Sequence, residues 1–242
     1  MAMPFFKNKK LTASGWIALL IIGALIIYLL TPPPWGPIPE SARKNAVANN
    51  LSQIVKAYAA YMHTGANPRM LEAKPGYTAH MAAYDLAEDE HLNDAHLWFF
   101  ATEDNSSGLG INTILLDLVP GDISPKINPE FMNQVLGFEV AANVSPDAPA
   151  TTTPIVWTHG LREDGTWAPD APWKGTGSYV AYLDGHVEWL DKSSITAGGG
   201  PFVKYGTNIP TVNIREALPP GAVILSAEPN GRAGPPDPPS QN

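Results

Sequence analysis

No charged residue occurs between Lys10 and Glu40, and inside that gap Trp16 to Leu30 reads WIALLIIGALIIYLL, wholly apolar or small. As a helix, Leu11 to Thr31 would be about 31 Å long at roughly 1.5 Å per residue, which matches a bilayer core. A helix buried in a soluble core is the competing reading, but such helices usually carry a polar face and this run has none. A cleaved secretory signal would need a short apolar core and a small-x-small site. The run leads instead into Thr31-Pro32-Pro33-Pro34-Trp35-Gly36-Pro37, which holds no such site. The expectation is a basic cytoplasmic segment over 1–10 and a retained transmembrane helix over 11–31.

Lys7, Lys9 and Lys10 precede the run, and the next basic residue is Arg43. The positive-inside bias therefore places the amino end in the cytoplasm and the rest outside, with Trp16, Tyr28 and Trp35 suited to the interfaces. Three of the 15 basic residues lie before the run and all 23 acidic ones after it, which leaves the exported part at a net charge of −11. An acidic balance argues against nucleic acid as a partner. The absence of cysteine removes disulfides, thiolate nucleophiles and Cys-ligated metals together.

Prolines 32, 33, 34, 37 and 39 stop the first helix from continuing, because proline lacks the amide donor and disfavours helix in the residue before it. Residues 32–39 read as a stiff spacer. A second helix is expected from Glu40 to about His63, with Val47, Leu51, Ile54, Val55, Tyr58 and Met62 forming one apolar stripe. Ser41 is the expected N-cap and Gly65 the stop. Short helices are expected around Ala79–Ala87 and Glu130–Val135, and strands over Thr153–Thr158 and Ala222–Ser226.

Ser178 to Leu183 and His186 to Leu190 flank Asp184-Gly185, a strong two-residue hairpin signal. That register sets Tyr182 opposite Val187, Val180 opposite Trp189, Leu183 opposite His186 and Ala181 opposite Glu188. The tail 229–242 has too few apolar side chains to fold alone and is expected to be disordered or to lie along a partner. Residues 40–228 thus form the expected domain. The fold class is α+β, an amphipathic helix packed on a small antiparallel sheet.

This order of elements resembles the type II secretion pseudopilins and type IV pilins. It is closest to the bacterial prepilin-like proteins with a C-terminal His-x9-Asp-Gly signature. The stretches ARKNAVANNLSQIVKAYAAYMHTG (42–65), WTHGLREDGTW, APWKGTGSYVAYLDGHVEWL and KYGTNIPTVNIREALPPGA carry the likeness. The signature is degenerate, because Lys174 stands ten residues before Asp184 where the family has His. Gly15-Trp16 looks like a relic of the family's cleavage site. Leu20 occupies the place of the glutamate that pilins use in assembly. The resemblance implies a pilin-like periplasmic domain, and these departures from the family, with the proline run that breaks the long helix, lead to the expectation that it is kept as a fixed membrane-anchored subunit.

Candidate chemistry is sparse. Glu88, Asp89, Glu90, His91, Asp94 and His96 form an acidic stretch, but two histidines five apart do not share a helix face as a metal pair must. His186 and Glu188 lie on one side of the hairpin and could serve as a base and its orienter. Glu103–Gly108 and Arg162–Gly165 offer oxygen ligands of the kind calcium takes, without the spacing of a helix–loop–helix calcium site, and Asp or Asn before Gly is also ordinary turn chemistry. No catalytic, cofactor-binding or metal residue is assigned, and no cofactor beyond a loop calcium is entertained. Trp98, Phe99 and Phe100 could be core or interface, with core the expectation for most of them.

The expected function is non-catalytic: a single-pass inner-membrane subunit whose periplasmic head scaffolds a larger complex. That complex would be a secretion or pilus-type apparatus or, by recruitment, an energy-converting or photosynthetic one. Partners would be membrane lipid and other subunits, with no nucleic acid or small-molecule substrate. The alternative is a membrane-anchored periplasmic metal-dependent hydrolase using the histidine and acid groups, in which changing His91, His96, His159 and His186 would abolish activity.

Overall fold

The computed structural model describes residues 21–23, 39–65, 68–100, 110–117, 124–169, 171–173, 175–191 and 199–229. The chain divides into two compact units, Met1–Pro39 and Glu40–Asn242. In the first, residues 21–23 are helical, and Ile21 and Ile22 are exposed. The rest of the expected transmembrane run lies outside the described residues, as do the spacer up to Ile38, Gly15-Trp16, Leu20 and Lys174. Among the described residues no helix is long and apolar enough to cross a membrane.

The second unit is α+β. Its strands are β1 (Phe138–Ala142), β2 (Pro154–Thr158), β3 (Gly177–Tyr182), β4 (Val187–Asp191), β5 (Phe202–Val203), β6 (Pro210–Thr211) and β7 (Val223–Leu225). Five of them form an antiparallel sheet of order β4-β3-β2-β1-β7, and helix α1 (Glu40–His63) packs against it. A separate two-stranded ribbon joins β5 to β6. Among the described residues the unit also holds the short helices α2 (Ala79–Glu90), α3 (Pro129–Met132) and α4 (Ile214–Ala217), with a 3₁₀ turn at Ala95–Trp98.

Helix α1 ends where its sequence says, with Gly65 at φ 98° just beyond the last turn. Val47, Leu51, Ile54, Val55, Tyr58 and Met62 are its buried residues, the six that recur at three and four. The Tyr58 hydroxyl crosses to the sheet and donates to the Ala141 carbonyl at 2.8 Å. Ser41, expected as the cap, lies inside the helix instead, because the first turn already starts at Glu40. Glu40 pairs with Lys44 at 2.9 Å one turn on, which suits an acid at the positive end of a helix. Trp98, Phe99 and Phe100 are buried, as expected.

The Asp184-Gly185 hairpin forms, but one residue out of the expected register. Tyr179 opposes Trp189, Val180 opposes Glu188 and Ala181 opposes Val187. The Gly185 amide donates to the Tyr182 carbonyl at 2.8 Å, and the Tyr182 amide to the His186 carbonyl at 3.0 Å. The connection is therefore the three residues Leu183-Asp184-Gly185, a tight turn closed by a glycine bulge, and only Gly185 has positive φ, at 91°. A one-residue slip sends each side chain of β4 opposite a different partner. The ring expected opposite Val180 instead stands against Tyr179.

Strands β1, β5 and β6 are not among those expected. Strand β1, interior to the sheet, carries FEVAA without sustained alternation, and its place between β2 and β7 comes from tertiary pairing. The ribbon β5–β6 is only two residues a side. Gly200 permits it: at φ 122°, a Cβ there would lie 2.2 Å from the Thr211 carbonyl carbon.

Candidate functional site

The histidines expected to converge in the hydrolase reading are used locally. His91 is the left-handed cap of α2 at φ 60°. His96 sits on the 3₁₀ turn, its Nε2 3.1 Å from Asn112 Oδ1 and its amide held by Asp94 Oδ1 at 2.9 Å. His159 comes directly after β2, with its amide donating to the Gly137 carbonyl at 3.0 Å and its ring 6.4 Å from that of Phe100. His186 stacks on Tyr182 at 4.2 Å between centroids, and its Nδ1 lies 2.5 Å from Asp184 Oδ1. Its orienter is thus Asp184 of the turn rather than Glu188.

His80 is buried among the α2 core residues. Its Nε2–H donates to the Gln134 carbonyl at 2.7 Å, and Thr78 Oγ1 lies 3.3 Å from Nδ1. Burial lowers its pKa, with the Gln134 bond opposing, so the ring is a neutral structural tie between α2 and the α3 loop.

Of the two calcium candidates, residues 103–108 lie outside the described residues. In the other, Glu163 is paired with Arg215 at 2.6 Å, and Asp164 accepts from the Thr166 amide and hydroxyl at 2.8 and 2.6 Å. That is turn chemistry. Among the described residues no three His, Asp or Glu side chains are grouped to hold a metal.

Two clusters missed in the sequence stand out. The first centres on Glu139 in β1, whose carboxylate accepts from Trp157 Nε1 at 2.7 Å across the β1–β2 pair. Burial pushes its pKa up to about 7, opposed by the indole bond and by the charge of Arg215. Nothing in FEVAA marks this glutamate as enclosed. The only signal is an acid inside a strand that turns out to be interior to the sheet.

The second cluster ties the α1–α2 end together. Arg69 stacks on Tyr61 at 3.8 Å, donates to the Tyr61 carbonyl at 2.7 Å, and pairs with Asp89 at 3.2 Å and Glu90 at 3.6 Å. Beside it Tyr77 donates a short bond to Asp85. Burial raises the Asp85 pKa, against the pull of that bond. Both clusters are closed on themselves, with each charge facing a partner from the same chain.

Comparison with protein-family models, curated proteins and solved structures finds no match to this chain.

Proposed function

We propose that this chain is a non-catalytic structural subunit, anchored by residues 11–31 in the inner membrane. Lys7, Lys9 and Lys10 hold the amino end in the cytoplasm, and the pilin-like head stands on the periplasmic side as a scaffold for a larger membrane complex. The observation that carries this reading is the placement of α1. A 24-residue helix starts directly after the proline run and seats one apolar stripe on an antiparallel sheet. That is the arrangement the pilin-like resemblance implies. The local employment of His91, His96 and His186 supports it, since a hydrolase needs such groups convergent in one cleft. Leu20 in place of an assembly glutamate, and Lys174 in place of the signature histidine, favour a fixed subunit over a polymerising one.

The test is extraction in mild detergent, then mass spectrometry of the co-purifying proteins and of this chain's own amino end. An intact start with stoichiometric partners is expected. A new start at Trp16 in a filament, or a full-length chain freely soluble without detergent, would overturn the reading. Alanine at His91, His96, His159 and His186 should leave complex association intact.

A further inference from the structure

At the β4 edge of the sheet two tryptophan rings gather beside a cation, with a tyrosine packed against one of them. Trp189 of β4 lies across the strand pair from Tyr179 of β3, with centroids 4.9 Å apart and planes at 69°. Trp173, from the loop before β3, meets Trp189 at 5.6 Å and 81°. Two rings thus stand steeply against a third, and Lys44 of α1 holds its Nζ over that third ring, 4.0 Å from the Trp189 centroid and 5.9 Å from that of Trp173. Glu40 supplies a carboxylate 2.9 Å from the same ammonium.

The place for Trp189 is built into the backbone. Gly177 has φ 152°, and a Cβ on it would lie 2.8 Å from Cζ2 of Trp189 and 2.5 Å from the Leu190 carbonyl oxygen. Only glycine lets that ring lie where it does.

We propose that Trp189 and Trp173, with Tyr179 packed behind Trp189, form a binding site for alkylammonium groups, quaternary ones above all, and that Lys44 is its built-in occupant. The chemistry of the two cations decides the preference. A primary ammonium carries three N–H donors and is strongly hydrated; Glu40 satisfies one donor, and ring faces are poor acceptors for the others. A quaternary ammonium has no donors to leave unsatisfied, spreads its charge over methyl groups, and is the cation that aromatic cages take best. Trp189 is half-buried on an edge strand, and Lys44 is half-buried on the opening turns of its helix, so the lysine can swing into solvent. The site then accepts a choline-type group, with Glu40 as its counter-charge. Such a site is independent of whether the chain is a structural subunit.

The full chain in dodecyl maltoside is titrated with tetramethylammonium chloride, then with choline, against sodium chloride at equal ionic strength. Tryptophan fluorescence and the indole N–H resonances are monitored. A saturable response is expected in Lys44→Met, with affinity about tenfold tighter than in the wild type because the internal competitor is gone. Trp189→Leu and, as a second variant in case that one unfolds, Trp173→Leu should each weaken it about tenfold. The neutral isostere tert-butanol should give no response. Exchanging maltoside for dodecylphosphocholine micelles separates the sources: a response there alone assigns the ligand to a lipid headgroup, and a response to choline alone assigns it to a free solute. The proposal is overturned if Lys44→Met responds to none of the three quaternary probes, if tert-butanol binds equally well, or if both tryptophan variants bind unchanged.

Discussion

The two faces of the five-stranded sheet are covered in different ways. Strand alternation puts Tyr179, Ala181, Val156 and Val140 on one face and Val180, Trp157 and Glu139 on the other. The first face meets α1, which brings six fully or nearly buried side chains and one hydroxyl that finds a carbonyl. The opposite face encloses a carboxylate, bonded to an indole and near an arginine whose own partner, Glu163, is exposed. Phe202, Ile214, Ala217 and Leu218 join the same core from a short ribbon and a one-turn helix. The α1 face is held by burial of hydrocarbon, which is insensitive to pH. The Glu139 face contains a group whose charge state changes near neutrality. One face is therefore stiff by composition, and the other is conditional.

The largest effect is expected from Ile54→Ala, which opens a cavity in the α1 face at a fully buried position. It should cost about 3–4 kcal/mol in chemical denaturation. A loss below about 1 kcal/mol would mean that the helix is not seated as described.

Gly177→Ala should cost about 2–3 kcal/mol and shift the near-ultraviolet circular dichroism of the tryptophans, because the new methyl would strike Trp189 and the Leu190 carbonyl. An unchanged aromatic spectrum would break the account of the β4 edge.

Glu139 sharpens the contrast through pH. Its carboxyl pKa rises from 4.5 to about 7 on folding, driven by burial. Its contribution is therefore fully present below pH 4.5 and is lost as pH rises through 7. Melting temperature should fall between pH 5 and pH 8 by the equivalent of about 2 kcal/mol. Glu139→Gln, which keeps an oxygen for the Trp157 indole, should flatten that profile. A wild-type profile already flat across this range would remove the conditional character of that face.

The smallest effect belongs to Tyr58→Phe, which deletes the hydroxyl bond from α1 to the Ala141 carbonyl. It should cost about 1 kcal/mol, equally at pH 5 and pH 8. A pH-dependent loss would show that the two faces are coupled.

Much of the fold was legible because local signals agreed with it. The stripe from Val47 to Met62 marked the length and buried side of α1, and TPIVWT and the Asp184-Gly185 turn marked β2 and the β3–β4 hairpin. The strand β1 was missed because FEVAA has no periodicity of its own and is held by neighbours 16 to 85 residues away in sequence, from Val156 to Leu225. The candidate-site residues went the opposite way. Histidines that stand out in a sequence proved to be caps and turn ties, whereas Glu139 and Trp173 gained their meaning only from what folding placed around them.

Periodicity and turn chemistry are properties of adjacent residues, so the sequence alone set the α+β class, the extent of α1 and the position of the hairpin. The tertiary structure decided the hairpin's register, through a bulge at Gly185 that admits one more loop residue than Asp-Gly requires. It also decided which acid meets the Trp157 indole and which lysine meets the tryptophan pair. Such contacts join residues as far apart as Lys44 and Trp189. Their free energy depends on desolvation and ring geometry, which exist only once the chain has closed on itself.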